Sequence, residues 1–197
     1  MLLAPSDVET TSFFFVTTEC PIYTGIFDGF SWIRCEGKGS FLNSPSLKAF
    51  GVERIAAGER CLVVDLEACT GMDSTFMGTL AGLATRLTAQ DGGILQIAGA
   101  GDRNRHSLED LGLDFLIQIE PEAAAWRTDL QAIRSQLKSS GPAHSQNGLQ
   151  KAMHVLEAHQ VLAGANEKNQ QSFSNVVTLL ESEVEAKRKS SATPEER

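Results

Sequence analysis

Apolar and polar positions along this chain follow two different periods, and the switches between them outline its elements. From Ile22 to Phe27 and from Phe30 to Cys35 the residues are strand formers. Asp28-Gly29 between them is a two-residue turn that wants positive φ at both centres, so a β-hairpin is predicted. Gly37-Lys38-Gly39-Ser40 breaks the strand, and Ser44 with Pro45 supplies an N-cap and a first-turn proline for a helix reaching about Ala57, before Gly58. Cys61 to Leu66 reads as a buried strand, and a loop runs from Glu67 to Met72. Phe76, Met77, Leu80, Leu83, Ala84 and Leu87 then share one helical face, predicting a helix over 74–90.

After Asp91-Gly92-Gly93 the period returns to that of a strand over Ile94–Ala98. A short helix is predicted around Asn104–Leu111, capped by Gly112. Leu113, Phe115, Ile117 and Ile119 alternate with polar residues, which predicts a half-exposed edge strand. Hairpin, helix, strand, helix, strand, helix, strand implies an α/β fold: a mostly parallel sheet begun by a β-hairpin and joined by crossover helices. Beyond Pro121 no strand is expected, and Trp126, Leu130, Ile133 and Leu137 predict a fourth helix.

Residues 139–148 have the composition of a linker, and 149–197 form a helical C-terminal extension. Leu149, Met153 and Leu156 share a face in its first segment; Phe173, Val176, Val177, Leu180 and Val184 do so in its second. The division expected is therefore an N-terminal leader over 1–19, an α/β domain over 20–138, the linker, and the extension. Phe13 to Val16 is either a short strand or a hydrophobic flap, and the last ten residues are expected to fray. The stripes at 126–137 and 173–184 suit packing on the host domain, with dimerisation as the alternative.

Composition changes this picture little. With 42% hydrophobic and 21% charged residues, the 197-residue chain resembles an ordinary globular protein. Its net charge of -8 opposes nucleic acid as a partner. The four cysteines, Cys20, Cys35, Cys61 and Cys69, form no C-x-x-C pair, which suits a reducing cytoplasm. No stretch approaches the ~20 apolar residues of a membrane span, and the start lacks a basic and apolar export signal, so a cytoplasmic protein is expected.

Candidate chemistry concentrates at Asp73-Ser74-Thr75, where a hydroxyl stands beside a carboxylate at the start of a helix. Ser74 caps that helix, accepts a phosphate, or does both; the free N–H groups and the positive end of the helix dipole would accommodate the phosphate. Rival readings are weaker. Asp65, Glu67 and Asp73 could hold a divalent cation for phosphotransfer, but the chain lacks a plausible lysine in the neighbouring loops and paired acids after the first strand. His154 and His159 are five apart rather than the four that aligns metal ligands on a helix, and His106 and His144 stand alone. Gly99-Ala100-Gly101 has no third glycine for a dinucleotide site.

The run from Cys61 to Leu80, with Asp65, Asp73, Ser74 and Gly78 on the pattern, resembles the central signature of STAS domains, the family of bacterial anti-sigma-factor antagonists and of sulfate-transporter tails. Trp32 to Phe50 and Leu111-Gly112-Leu113-Asp114 look like the same family, so the resemblance covers roughly residues 22–135. Where the family usually has Asp-Ser-Ser-Gly, this chain has Asp73-Ser74-Thr75-Phe76. The resemblance implies a non-catalytic regulatory protein without cofactor or metal, with Ser74 as phosphoacceptor and Thr75 as a second candidate. It further implies a serine kinase that doubles as a sequestering anti-sigma factor, and a serine phosphatase that resets Ser74. The contact surface implied is Thr70, Gly71, Met72, Asp73, Ser74, Thr75, Phe76 and Met77, with Asn43 and Ser44 as neighbours. The alternative is a ligand-sensing or scaffolding module that forms a homodimer through its C-terminal helices.

Overall fold

The computed structural model describes residues 21–140 and 146–192; the leader, with Phe13–Val16, and the last five residues lie outside them. Strands β1 (Ile22–Phe27) and β2 (Phe30–Cys35) form the predicted hairpin, pairing from Ile22↔Cys35 to Phe27↔Phe30. Helix α1 (Ser44–Ala56), β4 (Cys61–Asp65), α2 (Ser74–Thr88), β6 (Ile94–Ala98) and α3 (Asp102–Asp110) follow in the expected order. A short β7 (Gln118–Ile119), α4 (Leu130–Ser135) and β8 (Lys138–Ser139) complete the sheet and its cover. The six strands lie in the order β7-β6-β4-β2-β1-β8. The pairings of β2 with β4, β4 with β6 and β6 with β7 are parallel, whereas β1 is antiparallel to both neighbours.

Strand alternation divides the core. Ile33, Leu62, Val64, Leu95 and Ile97 pack under the helices with Leu47, Phe76, Leu80, Leu83 and Leu87. Trp32, Val63 and Ala98 face the opposite side, where Trp126 and Ile133 cover them. The Trp32 and Trp126 rings meet edge to face at 5.5 Å.

Several expectations require correction. The break at 37–40 and the loop at 67–72 contain a second, two-stranded parallel sheet, β3 (Gly37–Gly39) with β5 (Cys69–Met72). Glycine-rich polar segments carry no alternation, so their pairing is invisible in the sequence. The predicted edge strand from Leu113 is instead a 3-10 turn over Leu113–Phe115 followed by the two-residue β7. Gly112 enters it at φ 65°, and Ile117 N–H donates to Leu113 O, so Leu113 and Ile117 are buried one turn apart while Phe115 is 90% exposed. The fourth helix is a 3-10 turn at Ala125–Asp129 running into α4. A strand does occur beyond Pro121: β8 pairs with β1 through Tyr23↔Ser139 and Thr24↔Lys138, so strand pairing starts at the last residue of the expected domain and reaches the first of the expected linker.

The C-terminal segments form two long helices, α5 (Gly148–Ala165) and α6 (Glu167–Ala192). Asn147 and Gln150 start α5 with a reciprocal capping box. Both helices are longer than their apolar stripes suggested, and α5 lies directly on the outer side of α2, forming a third layer.

Candidate functional site

The start of α2 is built around Asp73. Its N–H donates to Gly39 O at 2.9 Å, which fixes β5 beside β3 and delivers the chain to the helix. Its Oδ1 accepts the Phe76 N–H at 2.9 Å and its Oδ2 accepts the Phe41 N–H at 2.9 Å. Asp73 is therefore the N-cap, with extended backbone, and also ties down the turn before α1. Ser74 is the first helical residue and does not cap, which leaves its hydroxyl for another contact.

That contact comes from α5. Ser74 Oγ and His159 Nε2 lie 3.0 Å apart, and His159 Nδ1 is 2.8 Å from Val155 O. A carbonyl can only accept, so Nδ1 carries the proton; in a neutral ring Nε2 then accepts from the Ser74 hydroxyl. Phe173 of α6 backs the imidazole edge to face at 5.7 Å. A parallel contact lies beside it: Ser44 Oγ, at the first turn of α1, shares a 2.8 Å hydrogen bond with His154 Nε2. Asn43 rather than Ser44 occupies the cap position of α1; its Oδ1 accepts the Ser40 N–H.

Small residues permit the close approach. Ser74, Gly78 and Gly82 recur every four positions along the outer side of α2. A Cβ on Gly78 would sit 2.3 Å from the carbonyl oxygen of Ala158, so the two helix backbones touch there. At the rim, the Glu157 carboxylate pairs with Lys48 and, at 3.5 Å, with Arg86. Burial disfavours the ionised Glu157, but the hydrogen bond and charge of Lys48, aided by Arg86, hold it below the ordinary carboxylate range. Burial, reinforced by the Lys48 charge and only partly opposed by Glu157 and Asp73, pushes His154 down to about 4, so this imidazole is neutral at pH 7.

The predicted surface is thus only partly open. Ser44, Gly71, Thr75 and Phe76 are buried and Asn43 is 9% exposed, whereas Met72, Asp73, Ser74 and Met77 are half-buried and Thr70 is exposed. Thr75 faces inward, and its carbonyl accepts the Thr79 hydroxyl at 2.8 Å. Phe41 and Leu42, exposed beside Asp73, extend the open part of the surface.

The cation reading has no free ligands. Asp65, fully buried, is held by Arg34 at 2.7 Å and by Arg134 at 2.8 and 3.1 Å. Glu67 joins the same two guanidinium groups, and Asp73 is engaged by backbone N–H groups. The described residues contain no cluster of metal-ligand type. At Gly99–Gly101 the Ala100 N–H is taken by Glu120 Oε1 at 3.0 Å. No helix among the described residues is long and apolar enough to cross a membrane.

His154 and His159 are the site residues that the sequence reading missed, having been weighed only as metal ligands. The available signal was the spacing of Gly78 and Gly82 from Ser74, which marks a helix face prepared for a close neighbour.

The family profile described as STAS domain matches residues 22–125. No curated protein matches the chain at a significant level. Among solved structures, an anti-sigma factor antagonist from Mycobacterium paratuberculosis is similar at 23% identity and a TM-score of 0.46, covering 57% of this chain and 92% of that one. The anti-sigma factor antagonist SpoIIAA in its unphosphorylated form gives 16% identity and 0.45, covering 58% and 97%. The phosphorylated form of SpoIIAA from Bacillus gives 19% and 0.43, over the same shares.

Proposed function

The chain belongs to the STAS domain family, and we propose that it acts as an anti-sigma-factor-antagonist-like binding protein switched by phosphorylation of Ser74. The observation that carries this reading is the placement of Ser74: half-buried, the first residue of α2, next to a carboxylate that already performs the capping. The hydroxyl is spare in the sense that helix α2 does not need it to start.

The step is an ordinary phosphoryl transfer. An Oγ–P bond forms, the bond from the γ-phosphorus of ATP to its bridging oxygen breaks, ADP departs and the hydroxyl proton is released. The product adds roughly -1.5 to -2 charges at neutral pH, directly beside Asp73. A partner surface matched to the neutral loop then meets a dense anionic patch. Couplings of roughly 1–3 kcal/mol suffice for such regulation. The unmodified form binds the kinase that doubles as an anti-sigma factor, the phosphorylated form is released, and a serine phosphatase resets it. The exposed rim of Thr70, Phe41 and Leu42 with half-buried Met72 and Met77 supplies the apolar and neutral contacts. The protein binds and is modified; the chemistry belongs to its partners.

Phosphopeptide mapping of the protein recovered from its own cells tests this. Phosphate on the peptide containing Ser74, abolished in Ser74→Ala, is the expected result; unmodified Ser74 under every growth condition would overturn it.

A further inference from the structure

We infer that helices α5 and α6 form a cover over the switch face of α2, latched by the contact of His159 with the Ser74 hydroxyl and displaced when that oxygen carries a phosphate. The inference rests on Ser74 being the phosphoacceptor. Its physical basis is the chemistry and the space of the contact.

The latch works through a proton. With Nδ1–H committed to Val155 O, Nε2 of the neutral ring is left to accept from the Ser74 hydroxyl at 3.0 Å. Phosphorylation replaces that proton with phosphorus, leaving an ester oxygen with nothing to donate. Against a neutral imidazole the two acceptors then oppose each other.

Space on the α5 side of the helix is tight. One turn after Ser74, the α2 backbone at Gly78 is in direct contact with Ala158 of α5. The cavity alongside Gly78, between α1, α2 and α5, lies one turn beyond Ser74 and measures about 20 Å³, enough for one water, so the helices stay close along this seam. A phosphoryl group brings a phosphorus and three charged oxygens. Placed between Ser74 and α5, they displace α5, which the Ser44–His154 contact on the same helix ties into one unit.

The reverse follows from linkage: whatever holds α5 closed also shields Ser74, so cover opening and phosphorylation favour each other by the same factor. A partner recognising the face under α5 competes with the chain's own helix.

The full-length protein with phosphoserine installed at position 74 during translation needs no kinase, and hydrogen exchange read by mass spectrometry reports each helix separately. The α5 amides should exchange about tenfold faster or more than in the unmodified chain, while β4 and β6 stay protected. Equal protection of α5 in both forms would overturn the cover. Should the phosphorylated chain lose protection throughout, Ser74→Asp provides the smaller perturbation, with the same selective loss of α5 expected and unchanged α5 protection overturning the inference. These outcomes are independent of whether cells modify Ser74, so failure of the phosphoacceptor reading and failure of the cover are read from different experiments.

Discussion

The two faces of α2 do opposite jobs. Its inner face, with Phe76, Leu80 and Leu87 fully buried against the sheet, is apolar and continuous with the main core. Its outer face, Ser74, Gly78 and Gly82, offers little side-chain volume and meets α5 through a close backbone approach, the Ser74 hydroxyl and, at the rim, Arg86 with Glu157, while Leu162 of α5 is buried in the same main core. Burial of large apolar side chains is worth roughly 1.5–3 kcal/mol each, so the inner face is tied to the global stability of the domain. A hydrogen bond contributes only about 0.5–1.5 kcal/mol net, so the Ser74–His159 contact is the part of the outer packing that a covalent change on one oxygen alters directly. The proposed switch acts on that local contact, while the inner face anchors the helix.

The largest expected effect lies on the inner face. Leu80→Ala should cost about 2–5 kcal/mol of global stability, read as a lower urea midpoint shared by every region of the chain. On the outer face Gly78→Ala gives a result of either sign. With α5 docked, the added methyl meets the Ala158 carbonyl, and overpacking of about 1–3 kcal/mol should appear as faster exchange confined to α5 and α6. Were the outer face free in solution, the same substitution would stabilise α2 by about 0.5–1 kcal/mol, as glycine leaves a helix interior.

Asp73→Ala removes the cap of α2 and the support of Phe41 N–H, at a cost of about 1 kcal/mol in denaturant melts. The smallest effect near neutrality is that of His154, whose pKa is pushed below the ordinary 6.5 to about 4. The released helix takes up a proton at higher pH than the docked one. The docking stability is therefore fully present above about 6.5, declines as pH falls, and has lost this contribution below about 4. Lys48, Glu157 and Asp73 are the charged groups that bear on the ring. Proton NMR should place the His154 titration near 4, and α5 exchange, corrected for intrinsic rates, should accelerate between pH 6.5 and 4 in the wild type but not in His154→Gln.

The hairpin, α1, β4, α2 and β6 were legible because each carries a strong period and a chemically specific boundary: Asp28-Gly29, Pro45, Gly58, Asp73. The β3–β5 pair was not, since Gly37-Lys38-Gly39 and Cys69-Thr70-Gly71-Met72 have no apolar alternation and associate through backbone groups alone. The segment from Leu113 misled because residues two apart also contain residues four apart, and burial of Leu113 and Ile117 satisfies either period. At the site, the Asp73-Ser74 pair could be recognised locally, since capping is a property of four consecutive residues.

The sequence by itself determined the elements, their order, the Asp-Ser start of α2 and the inner face of that helix, all of which follow from short-range stereochemistry and hydrophobic period. Only the tertiary structure decided that Asp73 also holds the Phe41 N–H, that Asp65 is neutralised by Arg34 and Arg134, and that an imidazole eighty-five positions away meets the Ser74 hydroxyl. Local propensities carry no information about which distant helix a glycine-lined face will accept; that choice is made by shape and by hydrogen bonds that exist only once the layers are stacked.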